Sequence, residues 1–190
     1  MVELTAVPRR MVPGMSTDVA NLGADALGPV ARTSGRVLLL DRDDRVLLLR
    51  GSDPDDPAAG QWWFTPGGGL EPGESPEQGA RRELLEETGL DLAQLGAPVW
   101  VRTAEFTFLG QSYRQAETFF LARVDGHVVD FSGHSDIERT AVHGFAWWSL
   151  DDLDASEVTV YPTALAAELR LLLAQIRQVG PPIAPKDVGR

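Results

Sequence analysis

Short runs rich in leucine and β-branched residues alternate with polar breaks in the first third of the chain. Residues 36–40 and 45–50 form two such runs, and the charged tetrapeptide 41–44 between them is typical of a hairpin or tight connection. Residues 61–65 contain two tryptophans and a phenylalanine, which favour a short strand, and the glycine-rich stretch 66–69 follows. The pattern predicts three strands before the first helix.

The clearest helix is predicted over residues 75–89. Ser75 is a good N-cap, Pro76 fits the first helical position, and Gln78 completes a capping box with Ser75. Gly89 is typical of a helix C-terminus.

The second half of the chain returns to β-structure. Residues 99–109 and 113–124 predict an antiparallel hairpin, and residues 125–142 are polar and irregular. Residues 143–150 predict an aromatic strand, and residues 163–178 repeat Leu and Ala at helical spacing. Strands on both sides of a central helix, with a closing helix, predict an α/β (α+β) fold with a mixed sheet.

The length of 190 residues favours one domain with tails. We expect a flexible or loosely docked N-terminal arm over residues 1–32, a domain over residues 33–179 and a C-terminal tail over residues 180–190.

The amino-acid composition excludes several kinds of binding and catalytic chemistry. The net charge of −11 opposes binding to a long nucleic acid, which depends on clustered Lys and Arg. Cysteine is absent, so disulfides, thiolate catalysis and Cys-ligated zinc are excluded. No secretory signal or membrane span is evident, and a cytoplasmic protein without membrane partners is the simplest expectation.

Three acidic residues of the predicted helix suggest a cation site. Glu83, Glu86 and Glu87 are spaced i, i+3 and i+4, so their side chains share one helical face. Like charges at this spacing repel, and acids in the last turn oppose the helix dipole. A divalent cation reverses both penalties, and carboxylate oxygens suit Mg²⁺ or Mn²⁺.

The glycines near this helix also suggest a cation site. Gly67, Gly68 and Gly69 permit backbone conformations that let a carbonyl turn inward as a further ligand, and Gly79 would let a substrate or second ion approach the helix. The alternative is a solvated acidic face balanced by Arg81 and Arg82. That alternative explains neither the glycine loop nor the isolated Glu74.

The segment 68–90 resembles the Nudix box of the MutT-like Nudix hydrolase family, Gly-x5-Glu-x7-Arg-Glu-U-x-Glu-Glu-x-Gly-U, where U is a bulky aliphatic residue. Every fixed position is matched, by Gly68, Glu74, Arg82, Glu83, Leu84, Glu86, Glu87, Gly89 and Leu90. The wider pattern over residues 36–153 is similar to the same family.

The resemblance implies a Nudix-type α/β/α sandwich and a hydrolase that cleaves a phosphoanhydride bond. It implies that Glu83, Glu86 and Glu87 bind catalytic Mg²⁺, for which Mn²⁺ can substitute, with help from the Gly67 carbonyl. Catalytic roles fall on Glu86, Glu87 and Arg82, since the family attacks phosphorus with a metal-bound water and the arginine holds the glutamates. The structural positions of the box are Gly68, Glu74 and Gly89.

A further carboxylate outside the box often acts as the base or completes the metal site in this family. Glu138, in the loop before the aromatic strand, is the favoured candidate. Glu117 on the hairpin is the second candidate and Glu105 is the third.

Substrate contacts are less well defined. Arg50 is a candidate phosphate contact, and the candidate lining residues of the cleft are Trp63, Phe64, Phe119 and Glu117. Packing is the competing role for the aromatic residues, because adjacent Trp62 and Trp63 must point to opposite faces of a strand.

The family resemblance leaves the substrate open between an NTP, oxidised or not, and another nucleotide-linked diphosphate such as a nucleotide sugar. A homodimer is also possible in this family. The alternative function is a non-catalytic sensor on the Nudix fold, but such modules commonly lose box glutamates, and this box is intact.

Overall fold

The computed structural model describes residues 28–126 and 128–189. Its strands are β1 (Val30–Leu40), β2 (Val46–Ser52), β3 (Gln61–Phe64), β4 (Gly67–Gly69), β5 (Pro98–Phe108), β6 (Gln111–Arg123), β7 (Val142–Trp148), β8 (Val160–Tyr161) and β9 (Lys186–Asp187). Its α-helices are α1 (Pro76–Thr88), α2 (Asp136–Ala141), α3 (Leu150–Ala155) and α4 (Leu165–Val179).

The strands form one mixed sheet in the order β8-β3-β2-β1-β6-β5-β9, with β4 paired to β1 and β7 paired to β2. The pairs β1–β6, β3–β8 and β5–β9 are parallel, and the others are antiparallel. The predicted mixed sheet is confirmed.

Alternating residues of β1 separate two hydrophobic cores. Leu38 and Leu40 pack on the side that carries α4, whereas Val37 and Leu39 pack on the side of α1, with Ala80 and Leu84. Because successive strand residues point to opposite faces, one helix covers each face. This arrangement is the α/β/α sandwich that the sequence predicted.

The first strand begins earlier than predicted. Residues Val30–Arg32 belong to β1, because they pair in parallel with the start of β6. Three residues that were expected in an N-terminal arm are therefore part of the sheet. The rest of that predicted arm, residues 1–27, lies outside the described residues.

The predicted C-terminal tail returns to the domain. Lys186 and Asp187 form β9, which pairs with Trp100 and Val101 of β5, and Val188 packs against the α4-side core. Its prolines had suggested a free tail, but an edge strand offers backbone partners to any extended segment.

Two short helices were missed by the periodicity argument. Ser135 and Glu138 form a capping box that begins α2, and Ser149 caps α3. Six residues are too few to show a hydrophobic period. Among the described residues, no helix is long and apolar enough to cross a membrane.

Candidate active site

Helix α1 is built as the sequence predicts. The Ser75 side chain accepts a hydrogen bond from the Gln78 N–H, the Gln78 side chain accepts one from the Ser75 N–H, and Gly89 ends the helix in the left-handed conformation. Leu84 and Ala80 face the sheet. Close packing on β1 requires Gly35, since a Cβ there would collide with the Pro76 carbonyl.

Three carboxylates from two separate segments converge at one end of this helix. Glu83, Glu87 and Glu138 each offer a carboxylate oxygen, and these oxygens lie within 4.8 Å of one another. We call these residues the carboxylate cluster. Carboxylate oxygens are the ligands that hard divalent cations prefer, so the donor set fits the cation that the Nudix box implies.

Glu87 is the most enclosed member of the cluster. Its side chain accepts a 2.7 Å hydrogen bond from the Gly67 N–H, and the residue is only 4% exposed. Burial raises the pKa of Glu87 well above its usual range, and the neighbouring Glu83 carboxylate adds to this rise, against the opposing Gly67 hydrogen bond. A bound cation would relieve both unfavourable effects.

Glu83 lies in a similar environment. Burial raises the pKa of its carboxyl group, although the hydrogen bond from Arg82 acts in the opposite direction. A Cβ at Gly68 would come within 2.6 to 2.7 Å of the Glu83 carboxylate. The glycine at this box position therefore leaves the space that Glu83 occupies.

Arg82 joins the glycine loop to the helix. Its guanidinium donates to Glu74 at 2.9 and 3.0 Å, to Glu83 at 2.9 Å, to Glu86 at 3.0 Å and to the Gly69 carbonyl at 2.9 Å. The bond from Arg82 lowers the pKa of Glu74. These contacts agree with the implied roles of Arg82 and Glu74 in holding the site together.

Glu86 is the third acidic residue of the box and is not a member of the carboxylate cluster as defined here. Its side chain is 42% exposed, and Arg82 Nη1 donates to both Glu83 and Glu86. The predicted role of Glu86 as a metal ligand stays a prediction.

The segment that leads into α2 is hydrogen-bonded to the C-terminal end of α1. The sequence placed Glu138 in a loop, whereas the structure places it in the first turn of α2. The Asp130 N–H donates to the Thr88 carbonyl at 2.9 Å, and His134 Nε2 lies 3.3 Å from the Glu87 carbonyl. A Cβ at Gly133 would come within 2.6 Å of the Glu86 carbonyl. His134 was not singled out by the sequence, and no motif spacing marks its contact with the helix.

Gly67 and Gly79 each make a contact that the sequence did not predict. The Gly67 carbonyl accepts a hydrogen bond from Arg36 Nη1, so one of its lone pairs is already used. A Cβ at Gly79 would collide with Leu70, so this glycine permits the loop to pack on the helix rather than the approach of a substrate. The predicted metal ligand at Gly67 stays a prediction.

The other two candidate bases lie outside the carboxylate cluster. Glu117 is 3% exposed and forms ion pairs with Arg36, at 3.1 Å, and with Arg102. Burial tends to raise the pKa of Glu117, but these two arginines outweigh it and lower the pKa. Glu105 is half exposed and its nearest cation, Arg114, is 3.7 Å away.

The candidate stacking residues separate into core and boundary positions. Phe119 is 1% exposed and packs against Trp100 with ring centroids 5.9 Å apart, so it offers no surface to a nucleobase. The prediction of Phe119 as a cleft residue is therefore wrong. Its partners in β5 and α4 lie far along the chain, and only the folded core shows that they cover it.

The other two aromatic candidates remain partly exposed. Trp63 packs edge-on against Trp148 at 5.2 Å, and the Arg50 guanidinium lies 5.8 Å from the Trp63 ring centre. Phe64 lies over Gly51, where a Cβ would come within 2.9 Å of its ring. Arg50 thus lies beside Trp63, and its Nη2 donates a long 3.5 Å bond to the His143 carbonyl.

The fold and the carboxylate cluster define a Nudix-type site, and comparison with known proteins agrees. The NUDIX domain family model matches residues 31–168. The chain therefore belongs to the Nudix family, and it is an enzyme of the Nudix pyrophosphohydrolase class.

Two relatives and one solved structure illustrate the similarity of this chain to known proteins. An RNA pyrophosphohydrolase of Erythrobacter litoralis (strain HTCC2594) is 34% identical over 134 residues, which cover 64% of this chain and 78% of the relative. An RNA pyrophosphohydrolase of Mesorhizobium japonicum is 37% identical over 114 residues, covering 54% of this chain and 66% of the relative. The MutT protein of Methanosarcina mazei Go1 shares the fold with a TM-score of 0.56 at 23% identity, over 76% of this chain and 96% of that protein.

Proposed function

We propose that the protein hydrolyses a phosphoanhydride bond in a nucleoside diphosphate-linked substrate, with Mg²⁺ as the cation at the carboxylate cluster. The observation that carries this proposal is the meeting of Glu83, Glu87 and Glu138 within 4.8 Å. Family membership supports a divalent cation in general, and the all-oxygen donor set favours Mg²⁺ or Mn²⁺ over softer metals.

The chain's own residues would hold the cation in a fixed place. Glu87 is held by the Gly67 N–H and Glu83 by Arg82, so both carboxylates are oriented before the cation binds. Glu86 shares the Arg82 guanidinium with Glu83 and follows it by one helical turn, and we propose it as a further ligand. When bound, the cation would polarise the phosphoryl group and neutralise its charge.

Glu138 is the proposed general base. Its carboxylate belongs to the cluster, but it comes from α2 rather than α1 and is less enclosed than Glu87. The Ser135 N–H donates to one oxygen of Glu138 at 2.7 Å and leaves the other oxygen available to take a proton from the attacking water.

The proposed substrate is a free nucleotide, an NTP in native or oxidised form or a nucleotide sugar. The net charge of −11 opposes a groove for long RNA. A second candidate is the 5′ end of RNA, because both relatives described above are RNA pyrophosphohydrolases.

One panel separates these functions. Release of phosphate, pyrophosphate or nucleoside monophosphate is measured with NTPs, 8-oxo-dGTP, nucleotide sugars, ADP-ribose and a 5′-triphosphorylated oligoribonucleotide, with Mg²⁺, Mn²⁺ or EDTA. We expect turnover that requires the cation and is lost in Glu87→Gln, with a free nucleotide preferred over the oligoribonucleotide. Nucleotide binding without turnover in the wild type would favour the sensor instead.

A matched control is Glu105→Gln, which removes an exposed carboxylate outside the cluster. Turnover that is equally reduced in both variants would contradict the assignment of the reaction to the carboxylate cluster. Preference for the oligoribonucleotide would overturn the free nucleotide as substrate while retaining the hydrolase.

A further inference from the structure

Three arginine side chains lie near the buried carboxylate of Glu117, beside the proposed active site. Arg32 and Arg36 lie on the same face of β1, and Arg102 is the register partner of Glu117 across β5 and β6. We call Arg32, Arg36 and Arg102 the arginine cluster. Arg36 and Arg102 both pair with Glu117, whereas Arg32 bonds to the neutral Gln115, which in turn donates to Glu117.

The charges in this region do not balance. Arg36 and Arg102 share the Glu117 carboxylate and Arg32 bonds to an uncharged amide, so the cluster holds more positive than negative charge, although the chain as a whole carries a net charge of −11. The side chains of Arg36 and Arg102 are only 14% and 9% exposed. Buried charge without a counter-charge is unfavourable, so the arginine cluster is suited to receive an anion.

A buried hydroxyl in the same place is also unsatisfied. Ser34 lies between Arg32 and Arg36 on the same face of β1 and opposite Glu117 in register. Its Oγ is fully enclosed and has no hydrogen-bond partner within the described ranges of the chain. Unpaired buried polar atoms are uncommon and call for a partner, and this one lies in the arginine cluster.

The glycine loop joins the arginine cluster to the carboxylate cluster. Arg36 donates to the Gly67 carbonyl, and the Gly67 N–H donates to Glu87. A Cβ on Gly69 would lie 3.9 Å from Arg32 Nη1. A single residue, Gly67, therefore separates a positive site from a negative one, which is the arrangement that a chain of phosphates with one bound cation would match.

Arg32 is the member best placed to contact a ligand. Its guanidinium carbon lies 4.4 Å from the Tyr113 ring centre and 5.5 Å from that of Phe106, so the group is held over two aromatic rings. Burial lowers the pKa of Arg32 most and the nearby charge of Arg36 lowers it further, against the opposite effects of Tyr113, Glu117 and Glu83. Guanidinium groups match phosphate oxygens with two hydrogen bonds at once.

We propose that the arginine cluster, with Arg32 as its contact residue, binds an additional phosphate next to the phosphoanhydride addressed by the carboxylate cluster. This inference rests on the proposed function and sharpens it. A substrate with three consecutive phosphates reaches both clusters, whereas a nucleotide sugar has only two phosphates. The preferred substrate class is therefore the nucleoside triphosphates.

The first test is binding in the absence of divalent cations. Inorganic tripolyphosphate and a non-hydrolysable nucleoside triphosphate analogue are titrated by calorimetry in EDTA into wild type, Arg32→Gln, Arg32→Lys and Arg123→Gln. Arg123 lies at the far end of β6, beside Leu40 in register, and pairs with Asp44, so its replacement is a matched loss of one positive charge away from Arg32. Because Arg32 is not paired directly with Glu117, its replacement leaves the buried ion pairs in place.

We expect Arg32→Gln to weaken the binding of both ligands at least tenfold, Arg32→Lys to weaken it less, and Arg123→Gln to change the affinity less than twofold. Equal effects of Arg32→Gln and Arg123→Gln would overturn the proposal, because only the overall charge would then matter. Failure of the wild type to bind either ligand would also overturn it.

Kinetics then separate this inference from the proposed function. We expect Arg32→Gln to raise KM for a nucleoside triphosphate about tenfold and to leave KM for a nucleotide sugar nearly unchanged. If the wild type turned over both substrates and Arg32→Gln raised KM equally for both, the hydrolase activity would be supported and the phosphate site would be rejected. Arg32-dependent binding of tripolyphosphate without any turnover would retain the phosphate site and reject the hydrolase.

Discussion

The backbone N–H of Gly67 donates a 2.7 Å hydrogen bond to the buried carboxylate of Glu87. This bond joins the glycine loop on β4 to the last turn of α1, so the loop and the helix position each other. It also explains how the Glu87 carboxylate can be buried next to the carboxylates of Glu83 and Glu138. The N–H provides a partner, and a cation would provide the remaining charge compensation.

Removal of the buried charge at Glu87 is expected to stabilise the protein when no cation is present. Burial raises the folded-state pKa of Glu87, so the folded state holds a proton more tightly than the unfolded state. Stability from this group is then fully present below the unfolded pKa, about 4.3, and decreases as pH rises toward the folded value. Glu87→Gln keeps the hydrogen bond with the Gly67 N–H and removes this pH-dependent loss of folding stability.

The measurement is thermal unfolding in EDTA and in Mg²⁺ between pH 5 and 8. We expect Glu87→Gln to raise Tm in EDTA at neutral pH by about 2–4 °C, the equivalent of roughly 1 kcal/mol in a domain of this size, and to lose most of the Tm increase produced by Mg²⁺ in the wild type. A wild type with the larger Tm in EDTA would contradict the unfavourable burial of Glu87.

Neutralisation of Glu138 should affect the reaction far more than the fold. Glutamine at this position can still accept the Ser135 N–H bond of the capping box. We expect Glu138→Gln to lower kcat by about 10²- to 10⁴-fold, the usual range for loss of a general base, with Tm nearly unchanged.

The control for Glu138 is Glu105→Gln, which removes an exposed carboxylate outside the carboxylate cluster. If kcat fell more in Glu105→Gln than in Glu138→Gln, Glu105 would replace Glu138 as the essential carboxylate.

Arg82 should not be replaceable by lysine. One guanidinium contacts Glu74, Glu83, Glu86 and the Gly69 carbonyl, and a single ammonium group cannot reach all four. We expect Arg82→Lys to weaken the apparent affinity for Mg²⁺ by about 10- to 100-fold, as is usual for residues that orient metal ligands.

The readout is the Mg²⁺ dependence of turnover, and Arg139→Lys in α2 is the control, since Arg139 is exposed and contacts only Asp136. A wild-type Mg²⁺ dependence in Arg82→Lys would show that the glutamates are held without the arginine.

A single methyl group at Gly68 should disturb the site through Glu83. The added Cβ would lie within 2.6 to 2.7 Å of the Glu83 carboxylate, which must then move out of the cluster. We expect Gly68→Ala to weaken the apparent affinity for Mg²⁺ about tenfold, with little loss of folded protein.

Gly96→Ala is the matched control, because a Cβ there meets no atom within 4 Å. Circular dichroism and Mg²⁺ titration of activity test both variants. Wild-type titration curves for Gly68→Ala would mean that Glu83 can remain in the cluster despite the added methyl group.

Local patterns in the sequence determined the parts of the molecule whose causes are local. The capping box and terminal glycine predicted α1, and apolar periodicity predicted the hairpins and α4, because these signals act within a few residues of one another. The box spacing likewise predicted that Glu83 and Glu87 lie on one face, since helical geometry fixes that relationship.

Tertiary structure decided which distant residues meet. Glu138 joins the carboxylate cluster while Glu117 is enclosed by Arg36 and Arg102, although both are acids outside the box. Phe119 was expected in the cleft, but it is covered by core residues from other elements. The pairing of β1 with β6 brings the arginines of separate strands together, and such contacts depend on sheet order and register rather than on spacing along the chain.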